Sequence, residues 1–189
     1  MRPIAAFAAL LLLVSTPALA RDLDGVNIPD SLTVAGEKAP LLLNGAGYRK
    51  KFFIKVYVGA LYLAQPANQA KAILDANSAR VMRMHFLRDV GRDQFATAWN
   101  DGIAPNHSQT EMQALRARID QLNNLVGSVR HNDVLRIDMR PRGDTEVWLN
   151  DKLRGSIGGV DFQNALLTAW IGAKPADANL KQAVLGGKE

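Results

Sequence analysis

The stretch GAGYRKKFFIKVYVGALYLA, residues 45–64, constrains the fold more than any other part of the chain. Four cations fall within residues 49–55, and most positions after them are aromatic, β-branched or small and apolar. Side chains alternate along a strand, so Phe52, Ile54, Val56, Val58, Ala60 and Tyr62 would share one face. Arg49, Lys51, Phe53, Lys55, Tyr57 and Leu61 would share the other. Aromatic and β-branched residues suit the pleated backbone, so the spacing predicts one long strand with the first face in the core. Gly45 and Gly47 followed by cations invite a phosphate-loop reading. That loop needs the pattern Gly-x-x-x-x-Gly-Lys-Ser/Thr opening a helix, whose N-terminus supplies the amide donors. Glycines that precede a strand exclude it.

A strand with two usable faces needs partners to pair with and elements to cover it. Upstream, Gly, Pro and Asp punctuate short Val/Leu/Ile runs, which predicts short strands near 31–35 and 39–43. Downstream, residues 66–77 read as a short helix opened by Pro66, and residues 79–90 as a strand alternating Val81, Arg83, His85 and Leu87 against Met82, Met84 and Phe86. Residues 91–103 read as a helix with Phe95, Ala98, Trp99 and Gly102 on one stripe, broken by Pro105. Ser108 and Glu111 form a capping-box pattern ahead of Met112, Leu115, Ile119, Leu122 and Val126 at helical spacing. From Asp133 the period returns to two. Strands at 134–140, 145–149 and 152–156, joined by PRGD and Asn150-Asp151, predict an antiparallel meander. An apolar helix at 160–172, closed by Gly172, and a last short helix from Asp177 through Val184 complete the chain. This order argues for an α+β fold, with helices packed on one face of an antiparallel sheet.

The first twenty residues, MRPIAAFAALLLLVSTPALA, set the expected compartment. Arg2 is a positive start, residues 4–14 are apolar, and Ala18-Leu19-Ala20 is a small-x-small cleavage site, so residues 1–20 read as a signal peptide and 21–189 as one domain. Removal takes one charge with it, so the net charge of +5 becomes +4 on a 169-residue chain exported to the periplasm. That length can bury a core without disulfides, and the sequence has no cysteine. No later apolar run is long enough to span a membrane. Basic residues are scattered, so no nucleic-acid partner is expected despite a pI near 9.7.

Chemistry-bearing motifs are few. His85, His107 and His131 lie at no metal-ligand spacing, no Gly-x-Ser-x-Gly elbow occurs, and the thiol route is closed, so no metal or cofactor is expected. What remains is the strand face carrying Arg49, Lys51, Lys55 and Tyr57 beside Phe53 and Leu61. This is either a plain solvated face or the wall of a half-apolar cleft, in which Arg49 grips an anionic head and apolar groups cover a tail.

The segments LLLNGAGYRKKFFIKVYVGALYLA, RDQFATAWNDGI and GVDFQNALLTAWIG together resemble the chalcone isomerase superfamily, in its bacterial exported chalcone isomerase-like branch. The shared features are a Gly-x-Gly-x-Arg turn, a long strand after it and a C-terminal helix ending Ile-Gly, over residues 26–186. The resemblance implies an open-faced β-sandwich, a large antiparallel sheet with helices against it and a ligand cleft between them. The family's catalytic arginine matches Arg49, and its strand threonine falls at Tyr57. The helix tyrosine falls at Phe95, which has no hydroxyl. The asparagine falls at Gly102, two positions from Asn100, and the C-terminal Ser/Thr falls near Phe162 or Gln163. Most of the polar network is thus absent. The expectation is a non-catalytic periplasmic protein that binds a small amphipathic, fatty-acid-like anion through Arg49, Tyr57, Phe95, Trp99 and Asn100. An isomerase (intramolecular lyase) and a structural or partner-binding envelope protein are the alternatives.

Overall fold

The structure is a computed structural model that describes residues 21–187. The expected leader lies outside the described residues. Strands β1 (Arg21–Leu23) and β2 (Val26–Ile28) form a small hairpin. Then β3 (Ser31–Leu32), β4 (Leu41–Lys51), β5 (Ile54–Leu63), β6 (Arg80–Phe86), β7 (Val134–Met139), β8 (Thr145–Leu149) and β9 (Lys152–Ile157) build a seven-stranded antiparallel sheet in sequence order. Five helices accompany it: α1 (Ala70–Asp75), α2 (Arg92–Ile103), α3 (Gln109–Val126), α4 (Val160–Ile171) and α5 (Ala178–Val184). The sheet curls, the helices pack against it, and the α+β expectation holds.

Each sheet face has its own core. On the helix side Leu61, Met82, Met84, Phe86, Leu135 and Ile137 meet Phe95, Leu115, Ile119, Leu122, Phe162 and Leu166. On the other side Val58, Ala60, Tyr62 and Val81 are covered by Val26 and Ile28 of the β1–β2 hairpin. Tyr62 there donates its hydroxyl proton to the Pro29 carbonyl at 2.9 Å. β5 is therefore buried on both faces, which is why it reads as an unbroken apolar run.

The single long strand expected over the opening stretch is two strands. The chain reverses at Phe52-Phe53, and Ile54, expected in the core, is half exposed. The Gly-x-Gly-x-Arg segment is strand, not turn. Gly45 lies where α5 crosses β4, and a Cβ there would sit 2.0 Å from the Ala183 carbonyl oxygen. The strand expected at 31–35 shrinks to Ser31–Leu32, and the one at 39–43 is the start of β4. Pairing jumps from Leu43↔Tyr62 to Gly45↔Leu61, so Asn44 is a bulged residue. Its side chain accepts from the Ala67 N–H at 2.7 Å and donates to the Ala67 and Val184 carbonyls at 2.9 and 2.7 Å. Both backbone groups of Ala67 are then occupied, and α1 starts at Ala70 instead of Pro66.

The remaining boundaries follow their local signals. Ser108 Oγ accepts from the Glu111 N–H at 3.3 Å and the Glu111 carboxylate accepts from the Ser108 N–H at 2.7 Å, which completes the predicted capping box. Asn150 and Asp151 turn β8 into β9 with φ of 51° and 58°. Buried Arg80 ties α1 and α4 to β6, donating to the Ile73 carbonyl at 3.0 Å and to Gln163 Oε1 at 3.0 Å. No helix among the described residues is long and apolar enough to cross a membrane.

Candidate ligand-binding cleft

In the register of the sheet Arg49 lies opposite Tyr57, and Tyr57 opposite Phe86. Directly paired residues point to the same face, so the three side chains form one row across β4, β5 and β6 on the helix side. A second bulge makes the row possible. Arg49 pairs with Tyr57 but Lys50 pairs with Lys55, which leaves Val56 as an extra residue in β5. A one-residue insertion inverts the alternation. Ile54 and Val56, expected in the core, therefore line the same cleft as Tyr57, which keeps the face it was expected to share with Arg49.

Helices α2 and α4 roof the row and leave a cleft of about 640 Å³, a size suited to a small organic molecule. Its walls are aromatic and continuous. Ring centroids are separated by 5.4 Å for Tyr57–Phe86, 5.5 Å for Phe86–Phe95, 6.3 Å for Phe95–Trp99 and 5.5 Å for Trp99–Trp170. Met84 and Ala169 also line it, while Lys51, Phe52, Ile54, Arg88, Asp89 and Asp93 form a more polar rim.

One polar cluster interrupts this apolar lining. The Tyr57 hydroxyl oxygen accepts from Trp170 Nε1–H at 2.9 Å. Burial pushes the Tyr57 pKa up to about 12, against the opposing pull of the Trp170 hydrogen bond and the Arg49 charge. At neutral pH Tyr57 is a neutral phenol with a proton to donate. Arg49 Nη1 stands 3.7 Å from Asp177 Oδ2, and the arginine side chain is one-fifth exposed. Asp177 is itself committed. Oδ2 accepts from the Lys50 N–H at 2.8 Å, and Oδ1 caps α5 by accepting from the Asn179 and Leu180 N–H groups at 2.9 and 3.1 Å. At 3.7 Å the carboxylate lies beyond hydrogen-bond distance. It orients the guanidinium while leaving N–H donors for an incoming anion, and one Nη1 proton goes to the Lys50 carbonyl.

Of the residues expected at the site, Arg49, Tyr57, Phe95 and Trp99 meet in this cleft. Asn100 does not line it. One residue past Trp99 the helix has turned by about 100°, and Asn100 is exposed. The sequence reading missed Trp170, Phe86 and Asp177. Phe86 was visible as part of the alternation in β6, and Asp177 as the residue ahead of a short helix. Trp170 gave no signal beyond being apolar in an apolar helix. No group of three or more His, Asp or Glu is placed to hold a metal ion among the described residues.

The sequence profile of the chalcone isomerase-like family matches residues 20–186. The chain belongs to the chalcone isomerase-like family. A search of curated proteins finds no match. Among solved structures, the crystal structure of a fatty-acid binding protein of Arabidopsis thaliana superposes with a TM-score of 0.62. The two share 17% identity, over 86% of this chain and 92% of that one. At that identity the likeness establishes the fold. In this chalcone isomerase-like cleft the hydroxyl-bearing lining residues are Tyr57 and the rim residue Thr97, whose Oγ1 donates to the Asp93 carbonyl at 3.0 Å.

Proposed function

We propose that this protein binds a small amphipathic anion, a fatty-acid-like carboxylate, and carries out no reaction on it. The observation that carries the reading is the in-register pair Arg49–Tyr57 set into an otherwise aromatic cleft of about 640 Å³. The carboxylate accepts from the Arg49 guanidinium and the Tyr57 phenol, and the acyl chain runs along Phe86, Phe95, Trp99 and Trp170. Charge-assisted hydrogen bonds of this kind are about twice as strong as neutral ones. The fatty-acid binding protein of the same fold supports the ligand class.

Displacement of a fluorescent fatty acid by medium- and long-chain carboxylates tests it. Arg49→Ala should weaken the carboxylate by roughly 10- to 100-fold, while a fatty alcohol of equal length binds wild type and variant alike. Equal carboxylate affinity in both proteins would reassign Arg49 to a structural partner of Asp177.

The place of action we propose is the periplasm, on the n-, h- and c-region pattern of residues 1–20. The protein purified from the periplasmic fraction should begin at Arg21. Recovery of the intact chain from the cytoplasm would sink this assignment.

A further inference from the structure

The tip of the β4–β5 hairpin carries Phe53, fully exposed, and Phe52, 87% exposed, with Ile54 half exposed beside them. No described residue covers these rings. Phe52 adopts φ 57° at the first central position of a two-residue turn, a region that glycine or asparagine enters at lower cost. Turn chemistry and burial both argue against phenylalanine here, so folding alone does not account for the pair.

Charge surrounds the pair asymmetrically. Residues 49–55 hold Arg49, Lys50, Lys51 and Lys55 and no carboxylate. Arg49 faces Asp177, and Lys55 pairs with Asp24 at 2.6 Å. Lys50 and Lys51 are exposed and make no ion pair among the described residues. Aromatic rings at a protruding tip with exposed lysines behind them match the layered chemistry of a lipid surface. The rings enter the headgroup–acyl boundary and the lysines remain at the anionic headgroups. A second copy fits less well, because a two-fold contact through the tips would bring the same cations together.

We infer that this hairpin tip docks the protein on an anionic lipid bilayer. Phe52, Lys51 and Ile54 also line the rim of the cleft, so docking sets the cleft mouth against the membrane, and an amphipathic ligand passes between bilayer and cleft without crossing bulk water. That purpose rests on the ligand reading above; the docking itself does not.

The chain from Arg21 on, which contains every described strand and helix, is sedimented with vesicles of phosphatidylcholine alone or mixed with phosphatidylglycerol. Wild type should pellet with the anionic vesicles, less at raised salt, and not with phosphatidylcholine alone. Phe53→Ser should lose vesicle affinity about ten-fold or more while binding a free fluorescent fatty acid in solution as wild type does. Arg49→Ala should show the reverse, with fatty-acid affinity reduced as above and vesicle binding kept. The two variants thus separate failure of docking from failure of the ligand reading. Equal pelleting with both vesicle types, or unchanged pelleting of Phe53→Ser, would overturn the proposal. A wild-type dimer that Phe53→Ser converts to monomer, with no vesicle binding, would overturn it in favour of self-association.

Discussion

Tyr57 shows how one residue serves fold and site together. Its ring packs on Phe86, its oxygen accepts from Trp170, and its register partner is Arg49. A phenol with a pKa near 12 is a poor base at neutral pH but a sound hydrogen-bond donor, which suits holding a carboxylate better than activating water. The pH dependence follows by sign. Burial raises the folded-state pKa of Tyr57 from 10.0 to about 12, and burial does the same for Tyr62. The folded state therefore holds these protons more tightly than the unfolded chain. Their contribution to stability is complete below pH 10 and is lost as pH rises toward 12. Tyr48 is also raised, again by burial first, so none of the three tyrosines titrates at its ordinary value. Tyrosinate absorbance of the folded protein should stay low through pH 10, and Tyr57→Phe should remove a late step and flatten the loss of stability between pH 10 and 12. A step at ordinary pH that vanishes in Tyr57→Phe would show that the phenol is solvated.

At the scale of elements, what was legible in the sequence was local. Ser108 and Glu111 mark the start of α3, and Asn150-Asp151 the β8–β9 turn, because in each case the signal and the structure it builds lie within a few residues. The alternation in β6 placed Met82, Met84 and Phe86 on one face for the same reason. The opening stretch failed where its local chemistry misleads. Its reversal is made by two phenylalanines where turn residues belong, and the two bulged residues, Asn44 and Val56, each shift the alternation by one. The reading still found Arg49, Tyr57, Phe95 and Trp99 but put Ile54 and Val56 in the core instead of at the cleft and added Asn100. Trp170, 113 residues from the tyrosine it bonds, lay beyond any local pattern. Long-range docking also governs Gly45. The reason for glycine there is the α5 backbone against it, not a turn of its own chain.

At the scale of the whole molecule, the chalcone isomerase-like fold supplies a sheet curled under helices and a cleft between them, while the reaction would depend on what lines that cleft. In the enzymes this chain resembles, an arginine stabilises the attacking phenolate, and hydroxyl groups hold a water and the ketone oxygen in place. Here the arginine position is filled by Arg49, and beside it the Tyr57 hydroxyl, whose oxygen accepts from Trp170, has one proton left to donate. The α2 position expected to organise water is Phe95, 5% exposed and packed between Phe86 and Trp99. The lining carboxylates sit at the rim, where Asp89 Oδ1 accepts from the His131 N–H at 2.8 Å. Removing a single donor to a developing oxyanion costs about 10²- to 10³-fold, and here the α2 position expected to carry a hydroxyl is an apolar ring, while the Thr97 hydroxyl at the rim already donates to the Asp93 carbonyl. Cyclisation of a hydroxylated chalcone, followed by loss of its absorbance, should run at the uncatalysed rate with or without the protein. Phe95→Tyr should not by itself create activity, because one hydroxyl added between the Phe86 and Trp99 rings restores a single position of that polar network. A rate above background in the wild type that disappears in Arg49→Ala would instead make the protein an intramolecular lyase, and the aromatic cleft its substrate site.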